Sequence, residues 1–307
     1  MIKTNDIIRL KEEIVLLKKQ KDFYLIAHNY VDTDVQDIAD YVGDSLQMAL
    51  HAKESRAKNV LVCSIRIMGE SAKLLSPDKK VYMAHPTADC RLANLNNVAE
   101  IKALKEKYPQ AEIECYVNAA ANLRAESTIT CTSANCVEVS NQLSENKDII
   151  FIPDANIGGW VEYKTGRKLI KLESNCYVHH QISLDEAIAT KEKYPDYALL
   201  VHPECRLEVC RFADVVCSTS QMIDYVNEHD KAIIGTEIGL YEQLHKRYPE
   251  KKLVPLSKRM ICEDMKMITL ELVAEALRKP EYEVILEPEI ADNTMKSLQR
   301  MWDILRK

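Results

Sequence analysis

The stretch KEKYPQAEIECYVN, residues 105–118, has a counterpart in KEKYPDYALLVHPE, residues 191–204. The two copies begin 86 residues apart, and each runs from KEKYP into a short apolar segment that ends in polar side chains. Internal repetition at a fixed period is typical of a chain built from copies of one supersecondary unit. The sequence is therefore expected to fold as a set of related α/β units.

A third copy precedes these two, since YLIAHNY at residues 24–30 has the same form. In each copy a helical pattern follows, and then a second apolar run, at residues 60–64, 149–154 and 231–237. Short apolar runs that alternate with helical stretches favour parallel sheets with crossover helices. We predict an α/β protein of three pseudo-threefold-related α/β/α units, each with a short parallel sheet, around a central site. The predicted repeats are 1–108 with an N-terminal helix, 109–194 and 195–289, and a C-terminal helix at 290–307 is expected to pack back on the first repeat.

Charge and length limit the classes of partner. The 307 residues carry a formal net charge of −6 with acidic and basic side chains interspersed, so the sequence has no basic stripe for nucleic acid and no polybasic membrane segment. No stretch is long and apolar enough to span a bilayer. The helical stretch Asn5–Lys21 lacks the apolar core of a signal peptide. Together with ten cysteines, which suit a reducing compartment, these features predict a cytoplasmic protein that acts on small molecules.

Three cysteines share the period of the repeat, because Cys90, Cys176 and Cys262 are also 86 residues apart. Ligands at equivalent strand ends converge when pseudo-symmetric units pack around a common axis. Three thiolates can hold a [4Fe-4S] cluster with one open iron, or a zinc ion with one open position. All-sulfur ligation favours iron–sulfur or structural zinc. The remaining interpretation is three coincidental buried thiols.

The other cysteines are expected in the core, because free cysteine is among the most buried residue types. Cys205 and Cys210 flank a polar loop, and their spacing is compatible with a metal site or a redox-sensitive pair. The predicted core thiols lie in or beside apolar runs: Cys63, Cys115, Cys131, Cys136 and Cys217.

Ten segments, in order along the chain, resemble the quinolinate synthase A family, the iron–sulfur enzymes of NAD biosynthesis. They are AHNY with VQDIADYVGDSLQMA (27–49), MGESAKLLSPDK (68–79), YVN (116–118), CTSANCVEV (131–139), IPDANIG (152–158), CYVH (176–179), HPECR (202–206), STSQMI (218–223), GTEIG (235–239) and CEDMKMITL (262–270).

This resemblance implies a reaction and a cofactor. The reaction joins iminoaspartate to dihydroxyacetone phosphate, with loss of phosphate and two waters, to give quinolinate. The cofactor is a central [4Fe-4S] cluster whose open iron acts as a Lewis acid, and the ligand positions match Cys90, Cys176 and Cys262. An aspartate-oxidising enzyme that supplies iminoaspartate is the implied partner.

The segments at strand ends hold the candidate site, because open α/β sheets bind ligands at the carboxyl ends of their strands. Glu204 is a candidate general base, and the alternative is an ion pair with Arg206 in a surface loop. For the hydroxyl side chains of Ser45, Ser133, Ser218 and Thr219, the alternative role is capping of a helix N-terminus. The resemblance implies catalytic roles for four residues: Tyr30, Tyr116, His202 and Glu204. It also implies that the following residues bind substrate: His28, Ser45, Tyr116, Asn118, Ser133, His179, His202, Glu204, Ser218 and Thr219.

The chain departs from the family pattern beside two ligands. The first lies in Asp89–Asn94 (DCRLAN), where the family has Gly before the cysteine, and Glu173–Asn175 replaces the usual Trp and Gly before the second. Arg91 either binds a substrate anion or points to solvent. The alternatives to quinolinate formation are another cluster-dependent dehydration of a small acid and a non-catalytic iron–sulfur sensor.

Overall fold

The structure is a computed structural model that describes residues 4–306. Residues 1–3 and 307, which belong to the predicted first repeat and C-terminal helix, lie outside the described residues. Within residues 4–306, twelve strands form three parallel sheets of four strands each. The predicted α/β architecture with three α/β/α units is confirmed.

The first sheet begins directly after the N-terminal helix α1. Its central strands are continuous runs of buried residues, as expected when helices cover both faces of a parallel sheet. The strand order is β2-β1-β3-β4. The elements are α1 (Thr4–Gln20), β1 (Phe23–His28), α2 (Thr33–Gln36), β2 (Tyr41–Gly43), α3 (Ser45–Glu54), β3 (Asn59–Cys63), α4 (Arg66–Leu75) and β4 (Lys80–Met83).

The second sheet repeats this order as β6-β5-β7-β8. Ile113, Ile150 and Ile152 pack with Ile101 and Leu123 in its core, and each fully buried aliphatic side chain contributes about 1.5–3 kcal/mol. The elements are α5 (Arg91–Leu95), α6 (Val98–Lys107), β5 (Glu112–Tyr116), α7 (Ala121–Ala125), β6 (Ile129–Cys131), α8 (Cys136–Gln142), β7 (Ile149–Ile152), α9 (Ala155–Thr165) and β8 (Leu169–Lys171).

The third sheet has the same order again, β10-β9-β11-β12. Identical strand order in all three sheets is what a repeated unit with right-handed crossovers produces. The elements are α10 (Tyr177–His180), α11 (Leu184–Lys193), β9 (Ala198–Val201), α12 (Leu207–Phe212), β10 (Val215–Val216), α13 (Thr219–Glu228), β11 (Lys231–Gly235), α14 (Ile238–Arg247), β12 (Lys252–Pro255), α15 (Glu263–Lys266), α16 (Leu270–Arg278) and α17 (Pro288–Leu305).

The chain divides into two compact units. The first unit consists of residues up to 90 together with 262–286 and contains the first sheet. The second unit consists of 91–261 together with 287–307 and contains the second and third sheets. The repeat boundaries inferred from sequence stay a prediction.

The C-terminal helix α17 packs on α7, β6 and α8, which are elements of the second repeat. Thr294 Oγ1 donates to the carbonyl of Ala121 at 2.9 Å, and the hydroxyls of Ser297 and Thr130 are 3.0 Å apart. The expectation that this helix packs on the first repeat is therefore wrong. An amphipathic pattern predicts a buried helix face but does not identify the surface that covers it.

Among the residues that the structure describes, no helix combines the length and the apolar content that crossing a bilayer requires.

Candidate functional site

The first strand of each sheet ends in a predicted pair of polar residues. β1 ends at His28, β5 ends at Tyr116, and His202 directly follows β9. These three positions are therefore equivalent in the three repeats, and a second polar side chain follows each of them two residues later: Tyr30, Asn118 and Glu204.

In the first unit, the imidazole of His28 is buried and accepts a hydrogen bond at Nδ1 from the Tyr30 amide at 3.2 Å. The two rings are in edge contact, with centroids 4.5 Å apart. One nitrogen of His28 is therefore bonded to backbone, as is common for a histidine at a strand end. The contact also fixes the Tyr30 ring beside it, which the proposed catalytic role needs.

Lys266 joins this pair to the segment that follows Cys262. Its Nζ donates to the carbonyl of Tyr30 at 2.8 Å and lies 3.3 Å from Asp32 Oδ1. Lys266 lies on α15, and Cys262 is the residue that directly precedes this helix. Two loops distant in sequence are held together by one half-buried cation, so Lys266 is more than a solvated surface lysine.

In the second unit, the side chains of Tyr116 and Asn118 contact each other. Asn118 Nδ2 donates to the Tyr116 hydroxyl at 2.9 Å, and Tyr116 is buried. The phenol oxygen is thereby oriented by a neighbour in its own strand end.

Glu204 is a buried carboxylate between two buried histidines. Its Oε2 lies 2.9 Å from His179 Nδ1 and 3.2 Å from His202 Nδ1. Burial alone would raise the pKa of Glu204, but the charges and hydrogen bonds of His202 and His179 outweigh it and hold that pKa well below its usual range. Arg206 instead donates from Nε to the carbonyl of His180 at 2.6 Å. The alternative of an Arg206 ion pair in a surface loop is wrong.

His179 also contacts the cysteine that begins its helix. Its Nδ1 lies 3.2 Å from Cys176 Sγ, and its Nε2 lies 2.9 Å from Thr236 Oγ1. One donor atom each of Cys176, His179 and Glu204 falls within 4.8 Å of the others. A thiolate, an imidazole and a carboxylate together form a ligand set that suits zinc or iron.

The three repeat-related cysteines occupy equivalent places in the fold. Each lies between the fourth strand of its sheet and a short helix: Cys90 before α5, Cys176 before α10 and Cys262 before α15. All three are half-buried, whereas the other seven cysteines are buried. A half-buried thiol in each of three equivalent loops is accessible to a metal or cluster, and thiolates are the ligands that iron–sulfur clusters use.

One hydrogen bond recurs in all three cysteine loops. In each repeat, the first amide of the helix after the third strand donates to the carbonyl two residues before the cysteine. The three bonds are Arg66 to Ala88 at 2.9 Å, Ala155 to Ser174 at 2.7 Å and Ile238 to Met260 at 2.8 Å.

The other thiols match their predicted core role. Burial raises the pKa of Cys63, Cys115 and Cys217 to about 12. Cys205 and Cys210 are buried as well, and burial raises the pKa of Cys210 to about 12 and that of Cys205 well above its usual range. A buried thiol that stays protonated is a poor metal ligand, so the geometry favours a core role for this pair. The buried state of Cys131 and Cys136 confirms the same prediction.

The predicted hydroxyl residues differ in their local roles. Ser218 caps α13, because its Oγ accepts from the Gln221 amide at 3.3 Å while Gln221 Oε1 accepts from the Ser218 amide at 2.9 Å. Ser45 is not the cap of α3, since the Asp44 carboxylate accepts from Gln47 at 2.9 Å. The capping alternative thus describes Ser218 but not Ser45. Thr219 is buried at the start of α13, and Ser133 is half-buried before α8.

Two residues of the departures from the family pattern, Arg91 and Ser174, make contacts between the segment after Cys90 and the segment around Cys176. The Arg91 guanidinium lies over the Tyr177 ring, 4.6 Å from its centroid, and Ser174 Oγ donates to Asn96 Oδ1 at 2.8 Å. Arg91 is exposed and Ser174 is buried. The segment after Cys90 is therefore joined to the segment around Cys176 by side chains that replace the family pattern.

Three residues without a predicted role also belong to the site. They follow the third strand of the second or third sheet, β7 or β11. Asp154 accepts at Oδ2 from the Cys176 amide at 3.0 Å, and Asn156 donates to the Glu204 carbonyl at 2.7 Å. Thr236 contacts His179. Gly235 precedes Thr236, and a Cβ there would lie 2.6 Å from the Leu200 carbonyl. The sequence feature that could have identified these residues is the position of IPDANIG and GTEIG at strand ends.

The chain matches one protein family over most of its length. The family model described as Quinolinate synthetase A protein matches residues 12–303. A quinolinate synthase of Methanosarcina barkeri is 42% identical over 294 residues, 95% of this chain and 96% of that protein. One from Caldicellulosiruptor saccharolyticus is 40% identical over 302 residues, 97% of this chain and 99% of that protein. One from Pyrococcus furiosus is 39% identical over 297 residues, 96% of this chain and 98% of that protein.

Proposed function

This chain belongs to the quinolinate synthase A family, and we propose that it condenses iminoaspartate with dihydroxyacetone phosphate, releasing phosphate and two waters, to form quinolinate for NAD biosynthesis. The observation that carries the proposal is the buried Glu204 carboxylate between His179 and His202, within reach of the Cys176 thiol. A condensation that ends in an aromatic ring needs repeated proton removal. Glu204 contacts two histidines, so its carboxylate has neighbours that can accept and donate protons in such steps.

Cys90, Cys176 and Cys262 are the proposed ligands of a [4Fe-4S] cluster. Their support is the equivalent placement of three half-buried thiols in three repeats. A cluster with three protein ligands supplies, when bound, one iron with an open position that acts as a Lewis acid toward substrate oxygens.

Glu204 is the proposed general base. The low pKa of its carboxylate keeps it ionised and able to accept a proton at Oε1 or Oε2. His202 and His179 stabilise the anion and set its direction, since each contacts Oε2. Tyr30 and Tyr116 are proposed to transfer or hold protons at their hydroxyls, and each is fixed by its strand-end neighbour.

The two substrates carry carboxylates and a phosphate, which need polar partners. We assign this binding to His28, Asn118 and the hydroxyls. A capping hydroxyl such as Ser218 accepts from backbone through a lone pair, so its own proton stays available to donate to a substrate oxygen. The set of proposed binding side chains is His28, Ser45, Tyr116, Asn118, Ser133, His179, His202, Glu204, Ser218 and Thr219.

Iminoaspartate must come from the two-electron oxidation of aspartate, so an aspartate-oxidising enzyme is the proposed partner. Ten cysteines as free thiols suit a reducing compartment, and we assign the activity to the cytoplasm on that basis.

The test is quinolinate formation by protein purified and reconstituted without oxygen, supplied with freshly generated iminoaspartate and dihydroxyacetone phosphate. Glu204→Gln should abolish turnover and leave the absorption spectrum of the cluster intact. Serine at Cys90, Cys176 or Cys262 should remove the cluster, whereas Cys63→Ala should retain it. Product absent from wild-type protein with a full cluster would overturn the proposed reaction, and cluster loss in Cys63→Ala alone would overturn the ligand assignment.

A further inference from the structure

The loop that carries Glu204 is fixed at its backbone as well as at its carboxylate. This loop, His202–Arg206, follows β9 and is called the glutamate loop below. The Glu204 amide lies 3.4 Å from His202 Nδ1, and its carbonyl accepts a hydrogen bond from Asn156 Nδ2 at 2.7 Å. The direction of the carboxylate therefore depends on a side chain from another repeat.

The side-chain amide nitrogen of Asn156 contacts two groups. Besides the Glu204 carbonyl, its Nδ2 lies 3.0 Å from His180 Nδ1. Burial and the nearby Arg206 charge lower the pKa of His180, which favours the neutral imidazole that accepts this bond. The half-buried Asn156 side chain thus contacts both the segment after Cys176 and the glutamate loop.

Asn156 itself is held in place by the start of α9. Asp154 Oδ1 accepts from the Ile157 amide at 2.9 Å, while Oδ2 accepts from the Cys176 amide at 3.0 Å. The Ala155 amide donates to the Ser174 carbonyl at 2.7 Å. The start of α9 is consequently bonded to the cysteine loop by the Asp154 carboxylate and the Ala155 amide, and to the glutamate loop by the Asn156 side chain.

We propose that Asn156 is a positioning residue that sets the Glu204 carboxylate relative to Cys176. This inference rests on the proposed function, because it assumes that Glu204 is the base and Cys176 a cluster ligand. Asn156 contacts the backbone of Glu204 and the side chain of His180 and acts only through them. Residues that orient catalytic groups in this way typically contribute 10- to 100-fold to activity or to metal affinity.

The test compares Asn156→Ala and Asn156→Asp with wild-type holoenzyme. The aspartate has the size of asparagine but lacks the amide donor that binds the Glu204 carbonyl. Both variants should lose kcat by about tenfold or more, with KM for each substrate within about twofold, because the base moves while the substrate contacts remain. Asn141→Ala, which changes an exposed asparagine of α8, is the matched control and should equal wild type.

Further measurements separate positioning from a general structural role. Iron content, the electron paramagnetic resonance spectrum of the reduced cluster and Tm should be the same in the variants as in wild type. In the holoenzyme, hydrogen exchange of the peptide that spans the glutamate loop should become faster in Asn156→Ala and stay unchanged in Asn141→Ala.

The outcomes are distinguishable. Wild-type protein that has a full cluster and forms no quinolinate overturns the proposed function and this inference with it. Active wild type together with either variant at wild-type kcat overturns the positioning role alone. Loss of cluster or of Tm in both variants also overturns it, because Asn156 would then be a structural residue.

Discussion

His202 Nδ1 lies 3.2 Å from Glu204 Oε2, and both side chains are buried. A buried carboxylate without partners would take up a proton, since burial disfavours its charged form. Here the histidine charge reverses that tendency and lowers the pKa of Glu204. The pair therefore gives a base that is ionised over the whole physiological pH range.

Removal of the His202 charge should reveal the effect of burial. In His202→Asn the amide nitrogen can replace Nδ1 as a hydrogen-bond neighbour, but it carries no charge. The effect of burial on Glu204 is then less fully offset, so the pKa of its carboxyl rises. Because a general base must be ionised, kcat of the variant should fall on the acidic side at a higher pH than kcat of wild type.

The measurement is the pH profile of kcat at saturating substrate. Glu204→Gln is the control, and it should be inactive at every pH. Identical acidic limbs in wild type and His202→Asn would mean that Glu204 is not the titrating base.

Arg91 offers a test of the departures from the family pattern. Its guanidinium stacks on Tyr177 at an exposed position, an interaction worth about 0.5–1 kcal/mol. We expect Arg91→Ala to lower the free energy of unfolding by about that amount. The KM for dihydroxyacetone phosphate should stay within about twofold, because a stacked guanidinium is directed at Tyr177. Steady-state kinetics with both substrates check this, and a tenfold rise in that KM would assign Arg91 to substrate binding.

The sheets were predictable because their signal is local. An apolar run such as Ile149–Ile152 between helical patterns identifies a buried parallel strand, and similar runs recur at the same place in the order of elements of the other two repeats. Strand ends such as Tyr116 follow from the same pattern, so the candidate residues at strand ends could be named before any contact was known.

Contacts between distant segments could not be predicted in this way. The bond from Asn156 to Glu204 joins residues 48 apart, and that from Cys176 to Asp154 joins residues 22 apart. A single sequence contains no period that links such pairs. The same limit explains why Glu204 was open to a surface pairing with Arg206, since burial of a loop depends on the elements that pack over it.

The docking of α17 on the second repeat can be tested through its buried face. Leu298 is buried, and its truncation to alanine should cost about 3 kcal/mol of unfolding free energy. Gln299→Ala, which changes an exposed neighbour on the same helix, should cost less than about 0.5 kcal/mol. Urea unfolding gives both values. Hydrogen exchange should become faster in α7 and β6 for Leu298→Ala, and equal effects of the two variants would contradict this docking.

Glu114 gives the protein a buried acid outside the candidate site. It lies on β5 and accepts a hydrogen bond from the Ser140 hydroxyl. Burial raises the pKa of this carboxyl to about 7, and the hydrogen bonds of Ser140 and Cys131 offset only part of that rise.

The sign of the effect on stability follows from the protons bound in each state. Between pH 4.5 and about 7 the folded protein holds a proton on Glu114 that the unfolded chain has released, so the free energy of unfolding decreases as pH rises through this range. The loss is complete above pH 7 and amounts to about 3 kcal/mol. Glu114→Gln keeps the acceptor for Ser140 and cannot ionise, so it should match wild type at pH 4.5 and exceed it by up to that amount at pH 8. Urea unfolding of both proteins at the two pH values measures the difference, and a constant difference between them would show that Glu114 does not titrate in this range.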